Sequence, residues 1–167
     1  MRRKGFTLVE LMVVVAVMAI LALGIYLVGG KFLDKSRVAK TESVITKIRS
    51  AINNYYSDTG YYPSKAQQFW KNTVGAPNWS GPYVQPPRGN VNLNGFYNMP
   101  WGGTGWLVCH NGSYVALIMY GMSRGLCQKL DQEVDDNNLS TGLVRWNSNS
   151  NYCVYYFELN NSGVSCK

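Results

Sequence analysis

The side chains able to do chemistry are few and unevenly placed. Four cysteines, Cys109, Cys127, Cys153 and Cys166, all fall in the second half of the 167-residue chain. An even set of this kind suits disulfides in an oxidising compartment, and four cysteines allow three connectivities. Asp131, Glu133, Asp135 and Asp136 crowd into one stretch, and carboxylate oxygens are what hard divalent cations take as ligands. The spacing departs from an EF-hand loop. Asp136 stands where its glycine belongs and Gly142 where its bidentate glutamate belongs, so the stretch reads as a solvated acidic loop with no metal required. The single histidine, His110, has no partners at ligand spacing, and there is no Gly-Lys-Ser/Thr loop. The chain is therefore read as neither an enzyme nor a cofactor protein.

Another carboxylate, Glu10, stands at the edge of a charge-free run. Leu11 to Gly30 contains no ionisable side chain that is charged at neutral pH, and such a run as a helix would span about 30 Å, one bilayer core. Arg2, Arg3 and Lys4 precede it; Lys31, Asp34, Lys35 and Arg37 follow. The basic tip favours a cytoplasmic start, with the bulk of the chain beyond the inner leaflet. A cleaved signal peptide is the alternative, with Ala22-Leu23-Gly24 as a poor cleavage site. Glu10 counts against it, because carboxylates in apolar segments are costly and usually have a purpose.

Lys4-Gly5-Phe6-Thr7-Leu8-Val9-Glu10-Leu11, followed by the apolar run, resembles the class III leader junction of type IV pilins and type II secretion pseudopilins. The resemblance is most specific from Gly5 to about Gly24 and extends through the helix to Pro63. It implies that a prepilin peptidase cuts between Gly5 and Phe6 and methylates the new Phe6 amine. It also implies that Glu10 pairs with the Phe6 amine of a neighbouring subunit during filament assembly. Elementary electrostatics agrees, since a buried carboxylate requires a cationic partner. Loss of residues 1–5 removes three positive charges and lowers the formal charge from +7 to +4, so much of the basic excess is a topology signal.

The elements that position these groups are legible in the periodicity. Val38, Ile45, Ile48, Ile52 and Tyr55 share one helical face, with Lys40, Glu42, Lys47 and Arg49 opposite as a solvated face. Asp58-Thr59-Gly60, with Pro63 beyond, stops the helix. One helix is expected from about Thr7 to Ser57. Ser113–Tyr120 and Tyr152–Leu159 read as strands, and Leu107, Val108 and Leu143 to Trp146 supply further ones. Ser123 caps a short helix that continues to Leu130. The organisation expected is a leader at 1–5, a transmembrane and filament-core helix at 6–30, an amphipathic continuation at 31–59, and a head at 60–167. The fold class is α+β, the pilin fold: a long N-terminal helix on a small antiparallel sheet with a disulfide-stabilised C-terminal region.

Further resemblances colour the head. Trp79-Ser80-Gly81-Pro82-Tyr83 and Met99-Pro100-Trp101-Gly102-Gly103 are similar to the loop segment of major pseudopilins, with Met99 in the place of the usual Asp. A cysteine on a short helix after a strand is similar to type IVb pilins. By that resemblance Cys127 pairs with Cys166, which leaves Cys109 for Cys153. Major pseudopilins also hold calcium in a C-terminal loop, which makes Asp131, Glu133, Asp135 and Asp136 weak calcium candidates. Trp70, Trp79, Trp101, Trp106 and Trp146 could stack on single-stranded DNA, but core or subunit contact is the commoner use of such rings. Lys65, Lys71 and Arg88 are too scattered to mark a nucleic-acid groove.

The function implied is a structural pilin, held in the inner membrane by a single span and then polymerised into a type IV pilus-like surface filament. The alternatives are a major pseudopilin of a type II secretion system, working in the periplasm, and a minor tip pilin binding DNA or a receptor. Partners implied are further copies of the chain, a prepilin peptidase, an inner-membrane assembly platform and an assembly ATPase.

Overall fold

The computed structural model describes residues 7–86, 95–159, 163 and 165–167, with the side chains of 25–29 and 31 excepted. The chain divides into two compact units after Ser36. Helix α1 runs Leu8–Thr59, close to the bounds its periodicity predicts. Gly60 ends it in the left-handed region, at φ 75°, and its N–H donates to Tyr56 O at 2.8 Å. A left-handed residue after the last turn satisfies a helix carbonyl with no Cβ penalty.

In the second unit the expected stripe is the core face of α1: Val38, Ile45, Ile48, Ile52 and Tyr55 are all buried. They share the core with Leu107, Val115, Leu117, Met119, Tyr155 and Phe157. Those residues come from a five-stranded sheet formed by β1 (Gly95–Phe96), β2 (Thr104–His110), β3 (Tyr114–Tyr120), β4 (Val144–Asn147) and β5 (Tyr152–Phe157). The order is β1-β2-β3-β5-β4 with every pairing antiparallel. Alternation along β3 sends Val115, Leu117 and Met119 inward and leaves Tyr114 and Tyr120 exposed. The α+β pilin fold is thus realised. Arg49 departs from the solvated face expected of it: it is half-buried and donates from Nη2 to Tyr155 Oη.

Helix α2 (Arg124–Val134) lies between β3 and β4 in the chain, with Ser123 as its cap; Ser123 Oγ accepts from Leu126 N at 3.3 Å. Near the Pro100–Trp101 turn, Gly103 is held against β3 so closely that a Cβ would meet Tyr120 O at 1.8 Å. Trp101 Nε1 donates to that same carbonyl at 3.0 Å, which pins the turn to the strand end.

The disulfides correct the pairing taken from type IVb pilins. Cys127 joins Cys153 and Cys109 joins Cys166, with Cα separations of 5.9 and 6.0 Å. The reason is strand order. Cys109 on β2 and Cys153 on β5 are separated by β3, which puts them about 9–10 Å apart or more, beyond the roughly 7 Å that a disulfide tolerates. Helix α2 packs on β4 and β5, so its buried Cys127 faces the inward Cys153. The C-terminus goes elsewhere: Cys166 N donates to Asn111 Oδ1 at 2.6 Å in the β2–β3 turn, and Cys166 bridges to Tyr62.

Candidate functional site

Gly5 and Phe6, the expected cleavage and methylation positions, lie outside the described residues. The neighbouring Glu10 is described, and its carboxylate is engaged within the chain. Oε2 accepts from Thr7 N and from Thr7 Oγ1, each at 3.0 Å, while Glu10 N donates to Thr7 Oγ1 at 3.3 Å. That is a capping box, satisfying amides at the N-terminus of α1. Its signal, Thr-x-x-Glu ahead of an apolar run, is plain in Thr7 to Glu10. Beyond it, large apolar side chains from Leu8 to Leu23 are between 49% and 75% exposed. Among the described residues, no helix is long and apolar enough to cross a membrane. The charge-free run read from the sequence continues into residues 25–29, whose side chains lie outside the description.

The acidic stretch is not a uniformly solvated loop. Asp131, Asp135 and Asp136 each present a carboxylate oxygen within 4.8 Å of the others, while Glu133 is exposed and not part of this group. Asp131 is fully buried, and neither of its carboxylate oxygens has a hydrogen-bond partner. Asp135 and Asp136 are held by donors from the loop that follows α2 and from the start of β4. Asp135 Oδ2 accepts from Leu143 N and Val144 N; Asp136 Oδ1 accepts from Asn138 N at 2.9 Å and Oδ2 from Thr141 Oγ1 at 2.7 Å. Burial, and then the charges of Asp136 and Asp135, raise the Asp131 carboxyl above the ordinary carboxylate range. The placement follows from helix spacing. Cys127, Leu130, Asp131 and Val134 recur at three, one and three residues, so Asp131 falls on the inward face of α2 with Cys127. That signal was available in the sequence and was outweighed by the local density of acids.

The other candidates scatter. Trp70 and Trp101 are core residues, Trp79 and Trp146 are partly buried, and Trp106 is exposed at 41%. Trp106 alone among these five is exposed, whereas stacking along single-stranded DNA uses several accessible rings. His110 stacks on Tyr114 with ring centroids 5.6 Å apart, and belongs to no acidic or cysteine group that could hold a metal among the described residues. Lys65 and Lys71 are described and Arg88 is not.

Comparison with known proteins matches residues 1–26 to the family described as Prokaryotic N-terminal methylation motif, and residues 32–103 to PilW, C-terminal. The type II secretion system core protein G of Xanthomonas campestris pv. campestris is 34% identical over 104 residues, covering 61% of this chain and 66% of that protein. The protein of the same name from Pectobacterium carotovorum subsp. carotovorum is 29% identical over 144 residues, covering 83% and 86%. Fimbrial protein EcpC of Eikenella corrodens is 34% identical over 62 residues, 37% of this chain and 40% of its own. No solved structure matches. With its methylation motif, its long helix on an antiparallel sheet and these relatives, the chain belongs to the family of type IV pilins and type II secretion pseudopilins.

Proposed function

We propose that the chain is a structural filament subunit, cut between Gly5 and Phe6, methylated at Phe6, held in the inner membrane by its N-terminal helix and then polymerised. The observation that carries this reading is the row of uncovered apolar side chains from Leu8 to Leu23. A soluble monomer rarely leaves so large an apolar surface in water, and lipid first and neighbouring helices afterwards would cover it. The work is assembly and requires no catalytic group of its own; a prepilin peptidase, an assembly platform and an assembly ATPase would supply the chemistry and energy. The filament is a type IV pilus-like surface fibre. Relatives named as secretion core proteins support the second reading, a periplasmic pseudopilin filament. Deletion separates the two: loss of surface fibres by electron microscopy supports the first, and loss of exported proteins with fibres intact supports the second. Unchanged fibres and unchanged export would remove both.

Processing gives a direct test. The leader glycine must enter the peptidase site in a conformation a side chain hinders. The Gly5→Leu protein is expected to retain its leader, visible as an unshifted mass by intact-protein mass spectrometry. A mature-length product would refute the cleavage assignment.

For the acidic pocket, the buried and unpartnered Asp131 favours a bound divalent cation, most simply calcium, despite the departure from EF-hand spacing. Asp131, Asp135 and Asp136 would hold it, and its charge would remove the repulsion among them. Calcium is expected to raise the melting temperature of the full-length protein in detergent, and to leave the Asp131→Asn variant unmoved. In chelator the order reverses: Asn carries no charge to desolvate, so the variant melts about 2–5 °C higher than wild type. The sign with pH is also fixed. A carboxyl raised in the folded state binds protons more tightly there than in the unfolded chain. Relative to Asp131→Asn, metal-free wild type should therefore gain stability as pH falls from neutral toward the ordinary carboxylate range. Melting curves indifferent to calcium would remove the metal.

A further inference from the structure

The register of the sheet builds a trough on its outward face. Arg145, Val154, Ile118 and Trp106 are successive cross-strand partners on β4, β5, β3 and β2, so they form a line perpendicular to the strands. The middle of the line is aliphatic. On one side stand Tyr120 and Tyr152, locked edge-to-face with centroids 5.2 Å apart. On the other stand Tyr114 and Tyr156, locked likewise at 5.2 Å. At one end Trp106 is 41% exposed. At the other, the Arg145 guanidinium lies 4.8 Å from the centre of the Tyr156 ring, with its orientation fixed by Nε donating to Gly142 O at 3.0 Å. A concavity of about 320 Å³ opens at this end, lined by Arg145, Asn147, Tyr152, Val154 and Tyr156.

We infer that this face binds a short glycan that ends in an acidic sugar. The rings are already fixed against one another, so binding would order few side chains. Rigid aromatic walls over an aliphatic floor suit the C–H faces of pyranose rings, and tyrosine hydroxyls and the Asn147 amide offer polar contacts at the rim. Asn147 Nδ2 donates to Tyr152 Oη at 3.0 Å, which holds both at the mouth. Four strands at their ordinary spacing give a line about 14 Å long, room for about three sugar rings. Charge selects the end group: the outward positions of β2 to β5 carry Arg145 and His110 but no carboxylate, so the face complements a carboxylate at the Arg145 end. One guanidinium is too little positive charge to track a polynucleotide backbone, which sets the glycan above single-stranded DNA.

The test uses the full-length protein in detergent micelles, titrated by calorimetry with 3′-sialyllactose, a trisaccharide with a single terminal carboxylate. Saturable binding is expected below about 1 mM. Arg145→Gln should weaken it roughly tenfold, the scale of a lost charge-assisted hydrogen bond. Trp106→Ala should weaken it by about the same factor, while Arg124→Gln, on α2 away from the trough, should leave it unchanged; melting curves confirm that each variant folds. Equal affinity for neutral maltotriose overturns the charge assignment. No binding, binding indifferent to Arg145→Gln and Trp106→Ala, or tighter and salt-sensitive binding of an oligothymidylate overturns the proposal.

Discussion

Replacing Glu10 with Gln is expected to leave insertion and leader removal intact and to reduce filament yield by about two orders of magnitude. The substitution keeps the size of the side chain and removes its charge, which makes membrane insertion easier. Within a single chain the loss is small, because Gln also closes a capping box on Thr7. The loss falls on assembly. The amine of an incoming Phe6 would enter an apolar surround without the neighbouring carboxylate that neutralises it, and removing one partner of a buried pair leaves the other uncompensated. Subunit should therefore accumulate in the membrane fraction, at mature length, while sheared filaments become scarce by immunoblot. Wild-type filament yield from the Glu10→Gln strain would falsify the pairing role and leave Glu10 a helix cap only.

The second large effect is expected at Cys127 and Cys153. Both are fully buried and close a loop of 26 residues. In the chain-entropy account that closure is worth about 3.5 kcal/mol, and its removal should lower the melting temperature of the head by about 10–15 °C. The paired Cys127→Ala and Cys153→Ala variant is the cleaner test, since no lone thiol is left to exchange. Non-reducing peptide mapping of the wild type should recover Cys127 with Cys153 and Cys109 with Cys166. A linked Cys127–Cys166 peptide would restore the pairing suggested by type IVb pilins, and an unmoved melting temperature would deny the bond its stabilising part.

These outcomes bear on what could be read from the chain directly. The inward stripe from Val38 to Tyr55 was legible because helical burial repeats along the sequence and each member reports on the same face. Strands β3 and β5 were legible for the same local reason, being β-branched and aromatic runs, and Ser123 announced α2. Cysteine pairing was not legible, because it depends on β3 lying between β2 and β5, and strand order is a property of the whole sheet. Arg49 shows a related limit. Its position opposite the core stripe says solvent, but the sheet brings the Tyr155 hydroxyl within reach of it. At the acidic stretch two local signals competed: crowding of like charges suggested solvation, and the three-and-four spacing from Cys127 suggested burial. For Asp131 spacing prevailed; for Glu133, exposed, solvation did. Short β1, only Gly95–Phe96, left no periodicity to read.

The disulfides are nested: Cys127–Cys153 lies wholly inside the loop closed by Cys109–Cys166. If a filament of such subunits is pulled, a nested pair determines how the load travels. Force applied between the N-terminal helix and the last residue reaches Cys109 and passes through sulfur straight to Cys166. The 57-residue interval holding β3, α2, β4 and β5 is bypassed. At about 3.4 Å per extended residue, close to 190 Å of contour cannot be drawn out while that bond holds. Pulling can lengthen the head only from residues that precede Cys109, so the greater part of the sheet is mechanically silent.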